Sequence, residues 1–415
     1  MRRADATRLY YALQFLLFMP TWVVVAVYLV RVLHLSPLEL VLMGTAMEAA
    51  VFLFEVPTGV VADTYSRRLS LIVGYLGMGI TWMLVGIVSQ PWAVIMLWAF
   101  WGMSYTFTSG AYQAWITDEV GVENAGRLFL RGARIRYAGA VVGLVGLVGI
   151  GLLSLRASVI AGGAITAVCG LLCILLMPET GFRRRPRAER GSALTEMRST
   201  AVTGARYAWA APVILLLVGV EFFMGMSSEA FDRLKEAHFL RDVGLPGHLG
   251  PVVWFGIFWL VGMVLGFFAT GWLIKRFERG GRAILSTSLF AFTFMEMAAM
   301  LVFALTGSTW VAIAALLGVF FARDLGGPLH TIWLNEQITD SSVRATVLSI
   351  SGQADAIGQA GGGPVLGLIG NVWGLRTALA AGALVIVPAL GLYTRAMRRG
   401  GGEPVLEALP APAEA

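Results

Sequence analysis

Runs of more than twenty residues without a charged side chain recur along this chain, and they constrain its fold more than any other feature. Leu9 to Val30, Ala157 to Pro178 and Leu249 to Ile274 are the clearest. Leu69 to Thr117 is long enough for two such runs, broken at Ser89, Gln90 and Pro91. An α-helix needs about 20 apolar residues to cross the hydrocarbon of a bilayer. Composition agrees: 13% of residues are charged and 57% hydrophobic, with a mean hydropathy of +0.76, whereas soluble domains carry roughly a quarter charged residues. The first run is too long for a signal peptide and lacks a small-residue cleavage site, so it reads as a retained helix. The chain is a polytopic membrane protein.

Spans fall near 9–32, 38–62, 69–89, 92–117, 137–154, 157–177, 210–230, 250–274, 283–305, 310–333, 345–369 and 376–394. Twelve spans put both termini on one side. The loops on that side hold 24 Lys and Arg against 6 on the other, Arg31, Arg156, Arg233, Lys235, Arg241 and Arg376. By the positive-inside rule both termini are cytoplasmic, and the +6 net charge is a topology signal rather than a nucleic-acid footprint. A basic linker, 179–209, divides six spans (1–178) from six (210–399), and its Arg183 to Arg187 run reads as a topology anchor. The tail 400–415, rich in Pro, Ala and Glu, reads as disordered. Cys169 and Cys173 share one face of an apolar helix and read as packing residues.

The halves repeat. Trp115, Asp118 and Glu119 end the fourth span as Trp333 and Glu336 end the tenth, and Arg127 and Arg344 follow them. Gly59 before Asp63 has a counterpart in Gly271 before Lys275 and Arg276. The offsets are 218, 217 and 212 residues. Between the second and third spans lies Gly59-Val-Val-Ala-Asp63-Thr-Tyr-Ser66-Arg67-Arg68. This stretch resembles the signature of the major facilitator superfamily, Gly-x-x-x-Asp-x-x-Gly-Arg-Arg/Lys, with Ser66 in place of the second glycine. The resemblance covers about residues 8–397. It implies an all-α membrane protein of 12 transmembrane helices in two pseudo-symmetric six-helix bundles, the repeats related by an axis along the membrane normal. It also implies that Asp63, Arg67 and Arg68 latch the cytoplasmic faces of the halves in the outward-facing state. Arg127, Arg131 and the region of Arg344 are their candidate partners, with Gly59 permitting close helix approach.

Ionisable groups inside spans are costly and are functional candidates by default. They are Glu48, Glu55, Glu221, Glu229, Glu296, Arg323, Asp324 and Asp355. Arg323 and Asp324, adjacent on a helix, point about 100° apart and need different partners; Asp355 or Glu296 suits Arg323. Glu48, Glu221 and Asp355 are readable as proton carriers or cation anchors, and equally as static interhelical bonds. Glu55, two residues before Pro57, suits a structural role. Trp98, Trp101 and Tyr105 share a face, and with Gln14, Gln113 and Phe222 they are candidates to line a pocket for a bulky apolar or cationic ligand; lipid-facing aromatics are the alternative.

Two departures from the family pattern matter. Trp98 stands where proton-driven drug exporters usually carry an arginine, four residues before Gly102. The fifth span has Gly139, Gly143, Gly146, Gly149 and Gly151 but not the proline usual in antiporters, which retains small-residue packing at the interface of the halves. The sequence holds no hydrolase nucleophile constellation, phosphate loop, zinc motif or metal spacing among its histidines. An ATP-driven pump and a membrane enzyme are therefore disfavoured. The expectation is a secondary transporter of the bacterial inner membrane working by alternating access. It is monomeric, without a cofactor, and driven by the proton gradient to export an amphipathic small molecule or drug. A proton symporter or uncoupled facilitator importing a nutrient is the alternative. A non-transporting sensor or scaffold is another, although the central linker leaves little room for an output domain.

Overall fold

A computed structural model describes residues 2–17, 19, 21–182, 202, 205–340 and 343–400, with backbone alone for 2–4, 274–284, 345 and 400. The linker stretch 183–201 with its arginine run, and the tail from 401, lie outside the described residues.

The described chain is helical. The first half comprises α1 (Arg2–Leu17), α2 (Thr21–Arg31), α3 (Pro37–Thr64), α4 (Arg67–Val85), α5 (Pro91–Thr106), α6 (Ala111–Val120), α7 (Val122–Leu153) and α8 (Leu155–Leu176). The second comprises α9 (Pro212–His238), α10 (Pro251–Leu305), α11 (Thr309–Gln337), α12 (Arg344–Trp373), α13 (Leu375–Leu384) and α14 (Ile386–Gly400). Ten segments among the described residues are long and apolar enough to cross a membrane. The other two expected passages are the broken pair α5–α6 and the glycine-rich α12. Many exposed side chains are large and apolar, Leu153 at 91% and Val145 at 69% among them. A contiguous apolar exterior of this kind is a liability in water and a requirement in lipid.

Local chemistry sets the breaks. Ser36 opens α3 with a capping box: its Oγ accepts from Glu39 N at 3.3 Å, and Glu39 Oε2 accepts from Ser36 N at 2.7 Å. The first passage is two helices, α1 and α2. The fourth is interrupted at Phe107–Gly110, where Gly110 takes φ 71°, open to glycine without strain.

Three expectations are corrected. The seventh passage does not stop near 230: α9 runs to His238 and continues through a π-turn to Val243. Arg233 and Lys235 thus lie in the helix rather than in a loop. The eighth and ninth passages, read as separated by a loop, form the continuous helical run α10. It still doubles back, because Phe255 and Phe303 both lie within 6.1 Å of Phe239, ring centre to ring centre. A straight helix would hold them about 70 Å apart. Finally, the α7 glycines serve mainly their own bundle. A side chain at Gly139 would strike the Phe15 carbonyl and one at Gly143 would strike Met19, while Gly146 and Gly149 face nothing within 4 Å. Gly151 alone of the five meets the other half, at Val252.

The halves are pressed together at the end away from the arginine-rich loops. There Leu38 N donates to Asn371 Oδ1 at 2.9 Å and Arg241 Nη2 donates to the Leu35 carbonyl at 2.6 Å. Leu152 packs on Gly250 and Pro37 on Gly370. At the basic end, Gly59 on α3, Gly271 on α10 and Gly352 on α12 have nothing within 4 Å of where a Cβ would be. Phe52, Leu53, Phe54 and Val56 on α3 are exposed there. Among the described residues the halves are closed at one end and open at the other.

Candidate functional site

The last third of α9 carries a dense cluster of charge, Glu229, Asp232, Arg233, Lys235 and Glu236. Glu229 is buried and accepts from Arg233 Nε at 3.1 Å, one turn on. The Arg233 guanidinium lies over the Trp98 ring of the other half, 5.3 Å from its centre. Gly44 on α3 is what lets these helices meet, since a Cβ there would overlap Glu229 and Arg233. Beside this pair, Arg323 on α11 donates from Nε to Glu296 on α10 at 2.6 Å and from Nη1 to Asp232 at 2.9 Å. Its guanidinium covers the Phe231 ring at 5.0 Å. Asp232 is 43% exposed although Lys235 reaches it at 3.6 Å, so it faces the open space between the halves. Glu48 on α3 lies within electrostatic reach of Glu229, Arg233 and Asp355. Asp355 accepts from Gln359 at 2.7 Å, with no guanidinium on it. A further pair sits one layer off: buried His330 places Nε2 2.9 Å from Glu221 and Nδ1 2.8 Å from the Tyr393 hydroxyl.

Opposite α9 stands an aromatic wall. Trp22 meets Trp82, Trp98 and Trp101 edge-on, each with ring centres 5.1 Å apart, and Tyr105 stacks on Trp101 at 5.6 Å. Trp22, 41% exposed, and buried Trp98 both line the cavity between the halves. The indole N–H groups of Trp98 and Trp101 are buried without a hydrogen-bond partner. Between this wall and Asp232, Arg233, Lys235 and Glu236 is a partly open cavity of about 160 Å³.

At the basic end the Gly59–Arg68 stretch makes a tight turn. Ser66 caps α4, its Oγ accepting from Leu69 N at 3.0 Å and donating to Glu179 at 2.7 Å. Its φ of −172° is extended backbone, so the position has no need of the glycine found in the family signature. Arg67 is hydrogen-bonded to Asp118 on α6 and lies 4.0 Å from Asp63. Arg68 donates to the Ile174 carbonyl at 2.5 Å. Glu119 accepts from the Thr180 and Gly181 amides at 2.5 and 2.8 Å. All of these contacts lie within the first half.

The sequence profile of the Major Facilitator Superfamily matches residues 9–335. The chain belongs to that superfamily. An uncharacterised MFS-type transporter of Bacillus subtilis strain 168, YxaM, is 22% identical over 369 residues, 86% of this chain and 87% of that protein. The nucleoside transporter NupG superposes with a TM-score of 0.73 at 13% identity, covering 95% of this chain and 99% of its own. A bacterial homologue of the human lysosomal transporter Spinster, inward-facing and unoccupied, gives 0.73 at 15%, covering 96% and 97%. These structural likenesses establish the fold. The protein is a multi-pass membrane transporter of the major facilitator type and not an enzyme.

Within this major facilitator fold the structure brings together Glu48, Glu229, Glu296, Arg323 and Asp355 with Trp98, Trp101 and Tyr105. Arg323 takes Glu296 and Asp232, not Asp355, as its carboxylates. Asp324 points away into a separate cavity. Gln14 is not in the cavity: it donates to Tyr10 at 3.0 Å inside the first bundle. Gln113 is exposed on α6, Phe222 packs on Phe223, and Glu55 accepts from Ser109 at 2.7 Å. Arg127 and Arg131, expected to meet Asp63, are exposed and make no ion pair among the described residues. Among the described residues Arg344 reaches only the Ile338 carbonyl, at 3.3 Å. Cys169 and Cys173 are buried free thiols.

Proposed function

We propose that this transporter couples proton movement to the export of amphipathic, cation-bearing small molecules, the halves alternating about the α9 cluster. The observation that carries the reading is a carboxylate surplus beside an aromatic wall. Arg233 engages Glu229, and Arg323 engages Asp232 and Glu296. Glu48 and Asp355 have no guanidinium bonded to them. A carboxylate held among like charges in a low-dielectric site takes up a proton readily, and releases it when a cation or an open aqueous path arrives. Trp22, Trp98, Trp101 and Tyr105 offer faces to an aromatic or cationic body.

With the basic end taken as cytoplasmic, the conformation seen is the inward-open one. Arg67 is then parked on Asp118, and Asp63 is free of the second half. Closing that end would bring Asp63 against the second half near Arg344, the latch that the signature implies.

The test is purified protein in liposomes with an imposed pH gradient and a trapped pH dye, challenged with lipophilic cations, nucleosides, sugars and peptides in turn. Proton efflux from the acidic side that starts only with lipophilic cations is the expected result, and Glu48→Gln should reduce it at least tenfold while counterflow exchange persists. Proton movement that instead accompanies nucleosides or peptides in the same direction would replace export with nutrient symport.

A further inference from the structure

A second cavity, of about 750 Å³, lies apart from the one at the α9 cluster. It opens at the basic end between the halves, with Tyr137 on α7 as one edge and Met263 to Trp272 on α10 as the other. Phe267, Phe268 and Trp272 are 70%, 68% and 51% exposed. Both phenylalanines border the cavity although they point about 100° apart on the helix, so it reaches round a wide face of α10. The cavity is thus a sideways opening in the wall of the bundle.

Its one charged lining residue is Asp324 of α11, which is exposed. Gly266 makes room for it: a Cβ there would overlap the Asp324 carboxylate. Asp324 has no ion pair and no hydrogen bond among the described residues, and its neighbour Arg323 bonds Asp232 through Nη1 and Glu296 through Nε instead. A lone carboxylate at membrane depth is costly unless a cation meets it, and every other lining group apart from the Thr270 and Tyr137 hydroxyls is apolar, aromatic or glycine.

We propose that this cavity is a second ligand site, open sideways to the bilayer at the basic end, that takes lipophilic organic cations. The charge sits on Asp324 and the apolar body lies against Tyr137, Phe267 and Trp272. As a loading site for cargo it rests on the reading of the protein as a carrier of amphipathic cations; as a binding site it stands on its own geometry. The site is spatially distinct from the α9 cluster: Arg323 and Asp324 point about 100° apart, and the two cavities share no lining residue. A single contact of this kind between carboxylate and onium explains selectivity by charge, while the aromatic walls tolerate varied shapes.

The experiment measures tetraphenylphosphonium binding to the intact protein in phosphatidylglycerol nanodiscs, corrected with empty discs, against tetraphenylborate, which has the same shape and opposite charge. Wild type should bind the phosphonium and not the borate. Asp324→Asn should weaken phosphonium binding at least tenfold, Asp324→Glu should retain it, and Gly266→Ala, which keeps the charge but displaces it, should weaken it. Equal binding by wild type and Asp324→Asn overturns the site. Brominated lipid should quench Trp272, seen as the difference from Trp272→Phe; an absence of quenching overturns the sideways opening. Displacement of the probe by phosphatidylethanolamine would assign the site to a lipid ammonium and overturn its role in loading cargo. Loss of coupled transport in the liposome assay, with Asp324-dependent binding intact, would count against the proposed function and leave this site standing.

Discussion

Arg323 joins three helices through one guanidinium: α11 by its own backbone, α10 through Glu296 and α9 through Asp232. Glu296 is 4% exposed and would be an uncompensated charge without it. Removing one partner of such a buried cluster typically costs about 3–5 kcal/mol, because a charge is left behind in low dielectric. Arg323→Met should therefore lower the thermal midpoint of the detergent-solubilised protein by several degrees. Adding Glu296→Gln should recover part of the loss by removing the stranded charge. An unchanged midpoint in the single variant would mean that water from the cavity already solvates both carboxylates. Arg323 is in this sense a structural residue whose neighbour, Asp324, is left to face a ligand.

At the scale of elements, α9 and α3 decide whether the far end can close. Their approach depends on Gly44, whose missing side chain is the space that Glu229 and Arg233 fill. Gly44→Val should leave the protein folded and abundant in membranes but cut transport at least tenfold, with Gly44→Ala between; normal transport by the valine variant would mean that the α3–α9 contact is not part of the working cycle. The same helix shows where sequence reasoning ran out. The hydrophobic runs placed the spans well, because lipid imposes a length and a polarity that few substitutions escape. They ended the seventh span near 230, because Asp232, Arg233, Lys235 and Glu236 look like a loop when polarity alone is weighed. The legible signal was spacing: Glu229 with Arg233 and His238 with Asp242 are both i, i+4 pairs, the signature of a helix that continues. Trp22 and His330 were missed for another reason. Each acts through partners from other helices, Trp82, Trp98 and Trp101 for one and Glu221 and Tyr393 for the other, and no local pattern announces such contacts. Gln14 errs the other way, a polar residue mid-span whose need is met inside its own bundle by Tyr10.

For the whole molecule, one end is sealed by polar bonds between halves while the other is not, and alternating access requires that this asymmetry reverse. The Leu38 amide to Asn371 bond and the Arg241 to Leu35 bond must both break, along with the apposition of Pro37 and Gly370. Each broken hydrogen bond is worth only about 0.5–1.5 kcal/mol net, so the sealed end can open on a thermal timescale if the basic end offers comparable contacts in exchange. The Asp63 and Arg67 pair is the place to look for them, since Arg67 now holds a carboxylate of its own half, Asp118. A cysteine pair at Leu38 and Asn371 reads this balance directly. The doubly substituted protein should form a disulfide under mild oxidant, lose transport, and regain it on reduction. If Asp63 stabilises the opposite state, adding Asp63→Asn shifts the population toward the state seen here, and the disulfide should form several-fold faster. Should the cross-link form at the same rate with and without Asp63, that carboxylate does not hold the basic end closed, and the partners of the second half would have to meet Arg67 or Arg68 instead.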